Sequence, residues 1–144
     1  MVLLKYGISV ALFVSAALAQ GITIVLPAAG STVTPGSSIT VQVGTNIFVE
    51  NLERIAIAIG LQSCPSGSTS GCSTADQGIG TILYTGLFDP VLGPEYTGPY
   101  QDFTVTIPAS TPAGQANLAV ANFFLVGASQ LPSMNFANAS LIIA

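Results

Sequence analysis

A chain of 144 residues carrying Lys+Arg 2 against Asp+Glu 6, with no histidine, has little equipment for proton shuttling or nucleophile activation. The shortage of cations argues against nucleic acid and against anionic membranes, both of which are bound by displacing counterions with lysine and arginine. Half the residues are hydrophobic, so the many Ser, Thr, Asn and Gln residues are expected to cover the outside.

The chain opens with Lys5, an apolar stretch over residues 8–18, and the small-x-small triplet Ala17-Leu18-Ala19. This is the pattern of an export signal, predicting a signal peptide over residues 1–19, a mature chain from Gln20 and a secreted, extracellular protein. The stretch is too short for the ~20 residues that a membrane-spanning helix needs, and no later segment is long enough either. The closing residues 139–144 lack the polar spacer and apolar tail of a lipid-anchor signal, so a soluble mature protein is expected. Residues 20–144 have the length of one domain. Its sole cation, Arg54, faces Glu50, Glu53, Asp76, Asp89, Glu95 and Asp102, and one minus six gives a net charge of minus five.

Apolar residues then recur with period two between turn signals, which predicts an all-β chain. Ile22, Ile24 and Leu26 make a first strand, ended by residues 27–30. Thr34-Pro35-Gly36-Ser37 is a turn in which proline fixes one backbone angle and glycine takes the positive one that follows. Ile39, Val41 and Val43 make a half-buried second strand. In the third, large Ile55, Ile57, Ile59 and Leu61 alternate with small Ala56, Ala58 and Gly60, predicting a central strand whose back is closely covered. Residues 78–86 alternate imperfectly and are expected to reach a sheet edge. Residues 88–100 hold Pro90, Gly93, Pro94, Gly98 and Pro99 and are expected to form an extended loop.

Phe103, Val105 and Ile107 form the next strand, and Thr111-Pro112-Ala113-Gly114 the next turn. The run from Ala116 to Leu125 is apolar on both faces and belongs in the middle of a sheet, with Phe124 in the core. Met134, Phe136, Leu141 and Ile143 form the last strand, where a change of parity predicts a bulge, or a break into two short segments, near residues 137–139. Six or seven strands at this length predict a two-sheet antiparallel sandwich, immunoglobulin-like in the broad sense.

Cys64 and Cys72, on an exported chain, are expected to pair and to staple a loop of turn-formers and small polar residues. Two thiols without histidine complete no metal shell, and no cofactor is expected. Asn138-Ala139-Ser140 is the one sequon for N-glycosylation. The only catalytic constellation open to this composition is a carboxylate pair among Asp89, Glu95 and Asp102; without tryptophan platforms a glycosidase is disfavoured, and no enzyme activity is expected. Glu50, Glu53 and Arg54 read as a local ion pair at a strand entrance. Tyr84, Tyr96 and Tyr100, on or beside the proline-rich stretch, are candidates for partner contact or for pinning that stretch to the sandwich.

In order, Ile22-Thr23-Ile24-Val25-Leu26-Pro27, Val33-Thr34-Pro35-Gly36-Ser37-Ser38-Ile39-Thr40-Val41, Ile55-Ala56-Ile57-Ala58-Ile59-Gly60-Leu61, Gly80-Thr81-Ile82-Leu83-Tyr84-Thr85-Gly86, Phe103-Thr104-Val105-Thr106-Ile107-Pro108 and Phe124-Leu125-Val126-Gly127-Ala128 form a familiar series. It resembles the fungal Nis1 family of necrosis-inducing secreted proteins over essentially the whole mature chain. The resemblance implies a non-enzymatic effector that suppresses plant pattern-triggered immunity by binding immune-receptor-associated kinases, with translocation into host cells. No catalytic residues come with it, and the insertion carrying Cys64 and Cys72 departs from the plainer family pattern. The rival expectation is a cell-wall-associated structural or carbohydrate-binding protein, because Pro27-Ala28-Ala29-Gly30-Ser31-Thr32-Val33 is similar to openings of immunoglobulin-like domains in fungal wall-synthesis proteins.

Overall fold

The structure, a computed structural model, describes residues 21–46, 51–65, 71–94 and 98–144. The export signal, Glu50, Glu95 and Tyr96 lie outside the described residues. The chain is all-β, a sandwich of two sheets. One has the order β1-β3-β7-β6 and the other β2-β9-β8-β4-β5. The strands are β1 (Ile22–Leu26), β2 (Ser31–Val33), β3 (Ser38–Thr45), β4 (Leu52–Ser63), β5 (Thr81–Gly86), β6 (Val91–Leu92), β7 (Pro99–Thr106), β8 (Gly114–Val126) and β9 (Leu131–Ile143).

The count exceeds the six or seven expected because β2 and β6, at three and two residues, are too short to display a period. The sandwich is also not purely antiparallel: β2 runs parallel to β9, with Ser31 opposite Leu141 and Val33 opposite Ile143. After β1 the chain crosses from the four-stranded to the five-stranded sheet, so its next strand lies beside β9 without a hairpin. Gly36 has φ +83° in the turn before β3, the conformation its sequence demands.

The core lies between the sheets. Val41, Val43, Phe103, Val105 and Ile107 come from the four-stranded side; Ile57, Ile59, Leu61, Leu118, Val120, Leu141 and Ile143 come from the other. Each large side chain buried there is worth about 1.5–3 kcal/mol. Residues 88–100 are less loop-like than their breakers suggest. Phe88 is buried with its ring 6.3 Å from that of Phe103, and β6 pairs with β7, Val91 opposite Tyr100.

Two bulges adjust the large sheet. Ile55 is the extra residue where β4 passes β8, between Arg54 opposite Phe124 and Ala56 opposite Phe123. That displaces Ile55 from the inward row it was expected to share. Leu83 is the extra residue of β5, between Tyr84 opposite Ile59 and Ile82 opposite Gly60, which accounts for the imperfect alternation there. The bulge or break expected near residues 137–139 is absent, since β9 pairs with β8 without a register shift from Leu131 to Ile143. The inward row of β9 is carried by Ala137, Ala139, Leu141 and Ile143, and Met134 and Phe136 face outward. Small alanines hold the buried parity, so size alone pointed to the wrong face.

Cys64 and Cys72 form a disulfide with Cα atoms 4.8 Å apart. Closing a ring of nine residues stabilises by about 2.6 kcal/mol on the chain-entropy account. Substituting both cysteines by serine is therefore expected to lower the unfolding free energy by about 2–3 kcal/mol while the β-sheet circular dichroism is retained. A double variant that shows no cooperative urea transition would mean that the core cannot hold the sandwich without the staple.

Candidate functional site

The outer face of the five-stranded sheet is built as cross-strand rows. Ala56, Phe123 and Met134 stand in register across β4, β8 and β9; then come Ala58, Ala121 and Phe136; then Gly60, Ala119 and Asn138; then Gln62, Asn117 and Ser140. The first two rows are apolar. The last two lie under a strap, residues 71–80, which crosses the face after the disulfide.

The strap is fastened by polar groups that the sheet presents. Asn117 Nδ2 donates to the Ser73 carbonyl at 3.0 Å and to Asn138 Oδ1 at 2.9 Å. The Ala75 amide donates to the same Asn138 oxygen at 2.8 Å. Asn117 and Ala75 are consequently buried, and Ala119 is fully so. Gly60 is a close-approach position: a Cβ there would overlap the Ile79 carbonyl oxygen and Cγ2. The sequence predicted that the back of β4 is closely covered along Ala56, Ala58 and Gly60; the strap covers it at Gly60 alone, and Ala56 and Ala58 stay open. Asn138, the sequon residue, sits mid-strand on β9, exposed but with its side-chain oxygen engaged by the strap.

Beyond the strap the first two rows lie open as a trough of about 360 Å³. Ala56, Ala58 and Ala121 form its floor, Phe123 and Met134 one side, and Thr85, Gly86 and Leu87 the other. Met134 and Leu87, on opposite sides of the trough, are 55% and 74% exposed, high for large apolar side chains. Among the described residues, none that lines the trough is charged. Phe123, whose parity opposed that of core Phe124, is covered by neither sheet. The outer face of the four-stranded sheet is polar at its centre, with Gln42 Nε2 donating to Asp102 Oδ1 at 2.9 Å, and exposes Val25 and Val91 towards its edges.

Tyr84 and Tyr100, the two candidate tyrosines among the described residues, are placed apart from the trough. Tyr84 is half-buried with its ring 4.9 Å from Phe103, and the ring of Tyr100 packs so close to Gly93 that a Cβ there would overlap it. Arg54 lies beside Asp89 of the 88–100 segment; burial lowers its pKa and the Asp89 charge opposes that shift. This neighbour across the fold was invisible in a sequence that offered Glu50 and Glu53. Asp89 also donates its backbone N–H to Gln101 Oε1 at 2.8 Å. Among the described residues, no three of His, Cys, Asp and Glu come together as a metal site. On the inner face, sequence parity gave no warning of the buried Asn122, whose Nδ2 donates to Oδ1 of half-buried Asn135 at 3.1 Å. A second cavity, about 590 Å³, lies between Gln62, Ser73, Thr81 and the 108–112 turn and is lined by uncharged residues.

Fold and face together define a small two-layer β-sandwich whose larger sheet carries an apolar trough beside a disulfide-tethered strap. The model of the Nis1 family matches residues 16–142, and the chain belongs to that family. No curated protein matches the chain. Among solved structures it is similar to a superoxide reductase (neelaredoxin) from Ignicoccus hospitalis, with 12% identity and a TM-score of 0.49, covering 87% of this chain and 81% of that one. It is also similar to Spo0M, the sporulation control protein of Bacillus subtilis, with 13% identity and a TM-score of 0.42, covering 85% of this chain and 48% of that one. Likeness at this level carries no functional argument.

Proposed function

We propose that this Nis1-family chain is a secreted fungal effector that suppresses plant pattern-triggered immunity by binding immune-receptor-associated kinases, without catalysing a reaction. The observation that carries the reading is the family match over residues 16–142. The chemistry is in keeping with it. The chain has no histidine, and its described surface offers an uncharged apolar trough suited to contact. The disulfide fits an exported protein, and because the inter-sheet core is large, loss of the ring in a reducing cytosol leaves the sandwich standing.

One observation favours the rival reading of a wall-associated carbohydrate-binding protein: the uncharged 590 Å³ cavity rimmed by Ser63, Ser73, Thr81, Ser110 and Thr111. The discriminating experiment is a pull-down of purified mature chain against plant receptor-associated kinases and, in parallel, against insoluble glucan and chitin. Capture of a kinase with no retention on polysaccharide is the expected result. Retention on glucan or chitin without kinase capture would replace the effector reading with the wall reading.

A further inference from the structure

We infer that the trough receives an extended, uncharged segment of a partner protein, laid across the sheet beside the strap. The inference deepens the binding-protein reading and takes its biological context from it, but its chemistry comes from the sheet face.

The same face is already covered in part by a segment of the chain itself, which turns where the Gln77 N–H donates to the Thr74 carbonyl at 2.9 Å and leaves Asp76 exposed. Residues 73–79 lie on a floor of small residues, Gly60 and Ala119, with Ala75 and Ile79 turned down onto it. The floor continues without interruption into the next two rows as Ala58, Ala121 and Ala56, opposite or beside one another in register. Small residues let a backbone approach a sheet closely, as Ile79 does over Gly60. At the strap's edge the covering ends, and the Asn117 and Asn138 amides that fasten it give way to an apolar floor. Phe123 and Met134 flank the open part, and methionine adapts its shape to varied apolar side chains.

Charge and size select the occupant. An ionised side chain pushed into a trough without charged lining residues would lose its water and gain no partner, so the segment must present uncharged residues. The exposed parts of Met134, Phe136 and Leu87 amount to roughly 300–400 Å², judged from the size of such side chains. A stable interface between two folded proteins buries about 800 Å² on each partner. This face by itself is therefore too small to pair two copies of the chain, and is the right size for a single strand-like segment.

The test uses the mature protein with methyl-labelled Met, Ala and Ile, titrated in NMR with the capped peptide acetyl-Ser-Ile-Ser-Ile-Ser-amide. The methyls of Met134, Ala58 and Ala121 are expected to shift. Met134→Lys should weaken peptide binding about ten-fold or more, and Thr104→Lys, on the outer face of the other sheet, should leave it unchanged. Met134 is more than half exposed, so both Met134→Lys and the milder Met134→Gln should keep the wild-type melting temperature. Shifts confined to other surfaces, Met134→Lys affinity within about two-fold of wild type, or dimerisation through the trough in place of peptide binding would overturn the inference. Carrying Met134→Lys into the kinase pull-down separates the two claims. A wild-type chain that captures no kinase defeats the effector reading and leaves the peptide titration to decide the trough. A kinase captured equally well by wild type and Met134→Lys defeats the trough alone.

Discussion

Leu118→Ala is expected to lower the unfolding free energy by about 3–4 kcal/mol, against the 5–15 kcal/mol that holds a typical domain together. Leu118 is fully buried on β8, opposite Leu61 on one side and Ala139 on the other. It sits on the strand that ties β4 to β9, and it faces the valines and Phe103 of the other sheet. Truncation removes the transfer energy of three carbons and leaves a cavity that two hydrogen-bonded sheets cannot close. For a domain of this size the melting temperature should fall by roughly 10–15 °C. Leu131→Ala is the internal comparison, because Leu131 is 62% exposed on β9 and its truncation should cost less than about 0.5 kcal/mol. Equal urea midpoints for the two variants would contradict the placement of the core between the sheets.

Gly60→Ala should destabilise by about 2–3 kcal/mol, a sign opposite to that of most such changes in a strand. Glycine in a strand interior ordinarily costs roughly 0.5–1 kcal/mol relative to alanine, and Gly60 has no positive φ that would forbid a side chain. The obstacle is the strap. A methyl at Gly60 would overlap the Ile79 carbonyl and Cγ2, and the carbonyl is backbone that cannot rotate away. Either β4 or the strap must move, and the strap, with fewer fastenings, is the one that lifts. Its hydrogen bonds from Ala75 to Asn138 and from Asn117 to Ser73 are then broken, so the variant should lose amide-exchange protection at Ala75 as well as stability. A stabilised Gly60→Ala protein, with Ala75 still protected, would show that the strap does not rest on the sheet.

Much of the sandwich was legible because half-buried strands advertise themselves by alternation. Val41 and Val43, Ile57 and Ile59, and Phe103 and Val105 all point inward as their spacing required. The apolar run of β8 marked it as interior, and it has a neighbour on each side. Alternation failed where its premises failed. β2 and β6 are too short to show a period, the bulges at Ile55 and Leu83 shift parity by one residue, and β9 buries alanines while turning Met134 and Phe136 outward.

The candidate site was half legible. The apolar second face of β8, on which Phe123 lies, was visible in the alternation, and small Gly60 on β4 announced a close neighbour. The identity of that neighbour could not be read, because contact between residue 60 and residue 79, or between residue 75 and residue 138, depends on how a disulfide-bounded loop returns over a sheet. Local sequence determined the strands, the export pattern, the poverty in reactive side chains and the cysteine pair, since each depends on neighbouring residues or on composition. Only the tertiary structure decided which apolar face is roofed and which is bare, because burial of a strand's second face is conferred by segments distant in the chain.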